Sequence, residues 1–520
     1  SIRSPKNPGM FDFKKYMASK GIEYQGYADV DEWRILRKSS GFKKQLNQVH
    51  FAAVEQLNEN QDWEKESAIL SALLLGNKTF LDKDQKTSFA KAGAMHVLAV
   101  SGLHVGIIYL VLLWLTKPLS RRRAFRILKT FLILLSLWAF AGITGFSPSV
   151  VRPSTMFSFM AVAGLLDRRS SGLNSLIASA ILMLVLNPRF MLDVGFQLSY
   201  VAVAGIILIH PQVYGLWKPK WFVLDKLWSL TAVSIAAQVA TFPLGIYYFH
   251  QFPNYFLLSN WIVIPAVSVI LPMGMLMISF AWLPEVYVFI ELIVYTCIRW
   301  LGKLISWISE LPMSTVSQLE ISMIELLVIY AIISSLVAFF FTRRFKMVLI
   351  ALGLGCILQT SRLSESVRNT NQNLMTMYSA PGLDVMDFVR GRSIVSYMES
   401  ESTSEKQIQY HISPFRSALN ATVVNDSSSL QTVCIQNGLF VLNLKDSLEI
   451  LSEMKAVDIL HIQARTIQRV DQILALTEPE VVVLSPNLEW KVRSYWKSKC
   501  NKLGYVCHDL KNDGAYVRET

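Results

Sequence analysis

Charge is scarce in this sequence. Only 17% of its 520 residues are Asp, Glu, Lys or Arg, against about 25% in an ordinary soluble domain. Hydrophobic residues reach 52%. That balance excludes one large water-soluble globule and predicts a polytopic α-helical membrane protein with soluble appendages, about three domains by length. Cysteine is equally sparse. Cys297 and Cys356 lie in apolar runs, and Cys434, Cys500 and Cys507 show no C-x-x-C spacing, so no metal framework is indicated. No signal peptide is visible at the start, and the first residue is Ser1 rather than Met, which fits a piece of a longer chain and leaves an upstream leader open.

The net charge of +12 is unevenly placed. Residues 91–360 hold 19 Lys/Arg against 8 Asp/Glu, whereas the flanking parts are close to neutral. Cytoplasmic loops of membrane proteins are rich in Lys and Arg, which explains much of the excess. A basic membrane core also suits a polyanionic substrate.

Apolar runs near the ~20 residues that a span needs lie at 95–116, 127–143, 150–166, 173–187, 195–210, 228–249, 255–280, 286–308 and 322–342, with a shorter one at 347–359. This gives nine or ten spans. Several are short enough for broken or re-entrant helices, which are tolerated where protein or a wet cavity surrounds them. Lys117, Arg121, Arg122, Arg123, Arg126 and Lys129 flank the first turn and place it in the cytoplasm. Alternation then puts Arg168 and Arg169, Lys218, Lys220 and Lys226, and Arg343, Arg344 and Lys346 inside as well. The N-terminal segment falls outside the cytoplasm, and so does the C-terminal domain if 347–359 crosses.

Outside the membrane, residues 1–30 alternate weakly and suit the end of a small β domain. Residues 31–66 read as a charged amphipathic helix with Trp33, Leu36, Phe51, Val54 and Leu57 buried, within a helical segment 31–90 outside the membrane. From residue 374 short β-like runs such as SIVSYM, GLFVLNL and EVVVLS mark a soluble α/β domain, 374–520, with helices near 445–454, 466–476 and 488–503.

The stretch 91–110, KAGAMHVLAVSGLHVGIIYL, carries His96, Ser101 and His104 in an apolar frame. On one continuous helix Ser101 and His104 share a face. Imidazoles and a hydroxyl at membrane depth ask for partners: they bind neighbouring helices, line a wet path, or make Ser101 a nucleophile served by His104. Arg152, Asp193, Gln197, Ser199, Gln238 and Asn260 add polar groups to further spans. Any one Gln or Asn can be interhelical glue. Spread over at least five spans, the set predicts a shared polar interior. Arg152 needs a counter-charge, and Asp193 is the nearest plausible carboxylate.

These residues also carry a family resemblance. The run SALLLGNKTFLDKDQKTSFAKAGAMHVLAVSGLHVG resembles the opening of the competence domain of the ComEC family. SPSVVRPS, DRRSSGLNSL, NPRFMLDVGFQLSYVAVAGI, SIAAQVATFPLGIYYFHQFPNYFLLSNWIVIP and ELP follow in the family's order. The likeness is strong over roughly 67–345, and NPGMFDFKKYMASKGI is similar to the end of the family's N-terminal OB-like domain, most of which would precede Ser1.

The resemblance implies an inner-membrane channel for single-stranded DNA during natural transformation. It also implies a DNA receptor outside and DNA-processing proteins or a motor inside. His96, Ser101, His104, Arg152, Asp193, Gln197, Ser199, Gln238 and Asn260 become pore candidates, with no catalytic residue and no cofactor. Many members end in a metallo-β-lactamase-like domain, whose metal site needs an H-x-H-x-D-H cluster. Here His411, His461 and His508 stand isolated, so a degenerate, metal-free relative is expected at 374–520. Two other classes stay open beside the channel: an intramembrane serine hydrolase using Ser101 and His104, and a small-solute transporter.

Overall fold

A computed structural model describes residues 2–26, 29, 41–58, 61–120, 123–166, 171–280, 282–317, 319–399, 405–427, 433–436, 438–445, 457–463 and 470–520. The chain divides into two compact units, one of residues 28–355 and one of residues 1–27 with 356–520. Trp33, Leu36, Arg121, Arg122, Arg168, Arg169 and nearly all of the helix expected at 445–454 lie outside the described residues.

The elements up to the membrane helices are α1 (Phe13–Ser19), α2 (Phe42–Asn58), α3 (Glu64–Leu75) and α4 (Lys83–Lys91). Ten helices follow: α5 (Gly102–Leu115), α6 (Arg123–Ile143), α7 (Pro148–Leu165), α8 (Gly172–Leu186), α9 (Val194–Tyr214), α10 (Phe222–Phe249), α11 (Phe256–Ser279), α12 (Pro284–Glu310), α13 (Met323–Thr342) and α14 (Lys346–Asn371). They stand where the ten apolar runs lie. Six of them, α6, α9, α10, α11, α13 and α14, are long and apolar enough to cross a membrane, and they identify a membrane protein. α5 and α8 are apolar but shorter. Two strands, β1 (Gln251–Pro253) and β2 (Thr315–Ser317), pair antiparallel.

Three expectations need correction. The first apolar run does not form one helix: residues 92–101 are turns and loop, and α5 begins only at Gly102. Ser101 has extended dihedrals (φ −120°, ψ 175°) and caps that helix, as serine prefers to do. The last run is the opposite case. α14 continues to Asn371 and is 26 residues long, because its polar second half still favours helix. Finally, Val54 and Leu57 are buried as expected, but Phe51 is exposed.

α3 has a wholly buried stretch, 67–75. An all-round apolar helix has to be surrounded, and α2, α11 and α12 surround it in the largest hydrophobic core of this unit. Gly76 ends it in the left-handed conformation (φ 75°) that favours glycine.

The other unit holds two five-stranded sheets. Its strands are β3 (Asn373–Met377), β4 (Asp384–Arg390), β5 (Ser393–Glu399), β6 (Thr422–Ser427), β7 (Val433–Gln436), β8 (Leu439–Leu444), β9 (Ile459–Ile462), β10 (Val481–Leu484), β11 (Val506–Asp509) and β12 (Tyr516–Glu519). Its helices are α15 (Glu405–His411), α16 (Ser413–Ala418), α17 (Val470–Thr477), α18 (Trp490–Leu503) and α19 (Leu510–Asp513). The sheet orders are β12-β3-β4-β5-β6 and β11-β10-β9-β8-β7. Met375, Met386 and Phe388 of the first face Val441, Ile459 and Val483 of the second in one core. α17 and α18 cover the outer face of the second sheet, and α15 and α16 that of the first. The result is an α/β/β/α layering.

Residues 2–26 belong to this unit, and Asn7 fastens them to it. Its buried amide donates to Ser379 O (3.1 Å) and His411 O (2.9 Å) and accepts from Ser379 N–H (2.8 Å). Ala515 N–H donates to Lys6 O beside it (2.8 Å). Asn7→Ala is expected to destabilise this unit by about 1–3 kcal/mol, since it leaves buried backbone groups unpaired. An unchanged denaturation midpoint, followed by a near-ultraviolet signal of this unit, would contradict the clamp.

Candidate functional site

Local chemistry sets the entrance of α5. Ser101 N–H donates to His104 Nδ1 (3.1 Å), and Ser101 Oγ–H points at the same nitrogen (2.9 Å). The imidazole takes the place that Glu or Gln fills in an ordinary capping box. A backbone N–H can only donate, so Nδ1 is the bare nitrogen and a neutral ring carries its proton on Nε2. That Nε2 is buried and has no partner among the described residues. His96 is exposed, and its Nδ1–H donates to Gly93 O (3.1 Å). Ser101 is therefore the N-cap residue of α5 rather than part of the helix, and the two side chains do not share a helix face.

Arg152 lies on α7 with its guanidinium buried, and Asp193 is the carboxylate that meets it, Nη1 to Oδ1 at 3.7 Å. Asp193 also caps α9, accepting from Phe196 N–H (2.7 Å). One turn on, Gln197 accepts from Tyr248 O–H of α10 (2.9 Å) and donates to Met191 O (2.8 Å). Asn260 of α11 donates to Ser234 Oγ of α10 (3.1 Å). Ser199 on α9 and Gln238 on α10 are half-buried. Sequence reasoning did not single out Ser179, Tyr200, Ser234 or Tyr248. Ser179 and Tyr200 join α8 to α9 at 3.1 Å. The available signal was a hydroxyl on the same helices as the amides.

The helices that carry the polar residues are neighbours in a closed circuit. α5 packs on α7, α7 on α9, α9 on α10, α10 on α11, and α11 returns to α5. Several buried side-chain atoms of this unit lack a partner among the described residues. They are His104 Nε2, Arg152 Nε, Ser154 Oγ, His210 Nε2 and Asn260 Oδ1, and each belongs to one of those five helices. Such groups are rare in folded proteins and costly unless something polar reaches them. All five lie on helices of this one circuit. No group of three or more His, Cys, Asp or Glu able to hold a metal occurs among the described residues.

Two family models match the chain in succession. The family model "Competence protein" matches residues 73–343, and the model "ComEC C-terminal domain" matches residues 375–520. "ComE operon protein 3" of Bacillus subtilis is 28% identical over 315 residues, covering 58% of this chain and 37% of that protein. "Recombination protein 2" of Haemophilus influenzae is 23% identical over 280 residues, 52% of this chain and 34% of that one. This chain thus spans little more than a third of the length of these relatives. No solved structure matches. With models for both the membrane helices and the α/β unit matching in order, the chain belongs to the ComEC family of competence proteins.

Proposed function

We propose that the chain conducts single-stranded DNA across the bacterial cytoplasmic membrane into the cytoplasm during natural transformation. The observation that carries this is the closed circuit of α5, α7, α9, α10 and α11, which holds the buried polar atoms of this unit that lack a partner among the described residues. Arg152 adds a cation at that circuit. The excess of Lys and Arg over acidic residues in 91–360 supplies a favourable field for phosphates. Binding would be to the DNA backbone, salt-sensitive and nearly blind to sequence. His96, Ser199, Gln197, Gln238 and Asn260 serve as contacts or helix ties along the path. The basic loops lie on the cytoplasmic side, and the α/β unit lies outside. A DNA receptor outside and a motor or DNA-processing proteins inside complete the route.

The C-terminal α/β domain is, in this proposal, a metal-free relative of the metallo-β-lactamase fold. Support comes from its α/β/β/α layers and from isolated histidines: His461 is buried against Asn443 (3.0 Å), and His508 faces Gly514 O (3.0 Å). The hydrolase alternative is the weaker one. A general base is normally oriented through its second nitrogen, and His104 Nε2 has no such partner among the described residues.

Substitution separates these roles. A nucleophile fails on Ser101→Ala, whereas a cap loses about 1 kcal/mol. Uptake of labelled DNA is expected to survive Ser101→Ala, to fall sharply with Ser101→Leu, and to survive His104→Gln, since glutamine at the third position also closes a capping box. Uptake abolished by Ser101→Ala in a folded protein, or labelling of Ser101 by a serine-directed phosphonate, would contradict the channel role of this motif.

A further inference from the structure

The α/β unit contains a cavity of about 730 Å³ between residues 2–25 and the loops that end β3 and β10. Arg3, Lys6 and Lys511 line it, and no carboxylate does so among the described residues. Burial pushes the His411 imidazole below its ordinary value, so that ring lines the cavity as a neutral group. Its Nδ1 is buried without a partner among the described residues. Phe11 and Tyr410 supply aromatic walls, and Asn487 and Gln25 supply amides.

The wall is held in place. The Asn7 clamp fixes the segment between Arg3 and Phe11. Gly514 lies so close to Lys6 O that any side chain there would collide with it, 2.5 Å from an added Cβ. On the far side, Asp384 binds Ser485 Oγ–H (2.7 Å) and Asn487 Nδ2 (3.2 Å). Its two carboxylate oxygens thus fix the loop that carries Asn487.

We infer that this cavity is a binding site for a nucleoside 5′-phosphate, either free or at the end of a single strand. Three cations line the cavity and no carboxylate does so among the described residues, with Asp384 set behind Asn487 and Lys6 Nζ–H also donating to Asn512 O. That excess of positive charge selects an anion, and charge-assisted bonds to phosphate are the strong ones. Aromatic faces select a planar base over a bare phosphate, since each stacked base contributes about 1–3 kcal/mol. The volume falls within the ~300–1,000 Å³ of small-molecule sites, with room for one nucleotide and part of a second. The choice of a nucleotide over other aromatic phosphates rests on the DNA role proposed above; the cavity and its charge do not.

The test uses the full chain in detergent, with 5′-dAMP, a 5′-phosphorylated oligonucleotide, a 5′-hydroxyl oligonucleotide and inorganic phosphate as probes. The expected result is saturable dAMP binding that weakens at least tenfold in the double variant Arg3→Glu/Lys511→Glu, whose side chains are exposed. Phe11→Ala should weaken dAMP while leaving inorganic phosphate unchanged. Preference for the 5′-phosphorylated over the 5′-hydroxyl oligonucleotide assigns the site to strand ends. Binding of dAMP alone assigns it to free nucleotides. Both support the inference.

Inorganic phosphate competing as well as dAMP would overturn it, as would equal dAMP affinity in the wild type and the double variant. Should the double variant misfold, 8-azido-dAMP photolabelling of the wild type decides: label on peptides holding Phe11 or Tyr410 supports the site, and label confined elsewhere overturns it. A chain that imports DNA without binding dAMP defeats this inference alone. One that binds dAMP without importing DNA defeats only the conduction proposal.

Discussion

Asp193→Asn is expected to lower the stability of the purified chain by about 3 kcal/mol, the lower end of the range for breaking a buried pair. Arg152 has only 8% of its side chain exposed, while Asp193 keeps 37%, which moderates the loss. Asparagine can still cap α9, so the variant isolates the charge from the cap. Leaving a buried guanidinium without its counter-charge is what destabilises. Removing both charges with Arg152→Met/Asp193→Asn is therefore expected to recover most of the denaturation midpoint. Uptake of DNA should be lost in that double variant, because the proposed path loses its cation. A midpoint unchanged by Asp193→Asn would contradict the pairing, and normal uptake by the double variant would contradict a role for Arg152 in conduction.

Gly205→Val is expected to separate α9 from α10. A Cβ built at Gly205 would lie 2.3 Å from Ala240 Cβ and 2.9 Å from Ala236 O. Small residues at such a crossing let the two backbones approach. Overpacking of this kind costs about 1–3 kcal/mol, and here one of the struck atoms is backbone and cannot swing aside. The expected result is a lower denaturation midpoint and a larger aggregated fraction on gel filtration in detergent. Gly205→Ala should show a smaller loss, and Ala240→Gly should return part of it by removing the nearer of the two contacts. A Gly205→Val protein as stable as the wild type would refute the close crossing.

The membrane helices were legible because their signal is crude. Long apolar runs have few alternatives to helix in a membrane, and each of the ten runs contains a helix. Their ends were less legible. Ser101 is embedded in an apolar run, yet its own N–H is better satisfied by the His104 ring than by a preceding helical turn. An apolar count also stops at residue 359, although α14 continues to Asn371.

The Arg152–Asp193 pair could be read in advance, since a cation at membrane depth needs a carboxylate and few are available. The Gln197–Tyr248 and Asn260–Ser234 pairs could not, because Tyr and Ser are common in apolar spans and their partners are set by packing. In the α/β unit, β4 escaped notice for a physical reason. Asp384 and Asp387 interrupt its apolar pattern, and Asp387 is fully buried only because Arg416 binds it through two nitrogens (2.7 and 2.8 Å) and Tyr378 O–H through a third bond (2.8 Å). Residues 2–26 are attached to this unit by Asn7 and Lys6, whose partners are hundreds of residues away, and no local pattern announces it.

Conduction of DNA across the membrane is tested most directly by following labelled DNA in cells that lack this chain. Label reaching the outer surface of the cytoplasmic membrane is distinguished from imported label by its sensitivity to added nuclease. The expected result is that surface-bound, nuclease-sensitive label persists while nuclease-protected label in the cytoplasm disappears, and that the wild-type chain restores it. Protected label entering at the normal rate without the chain would contradict the proposed function.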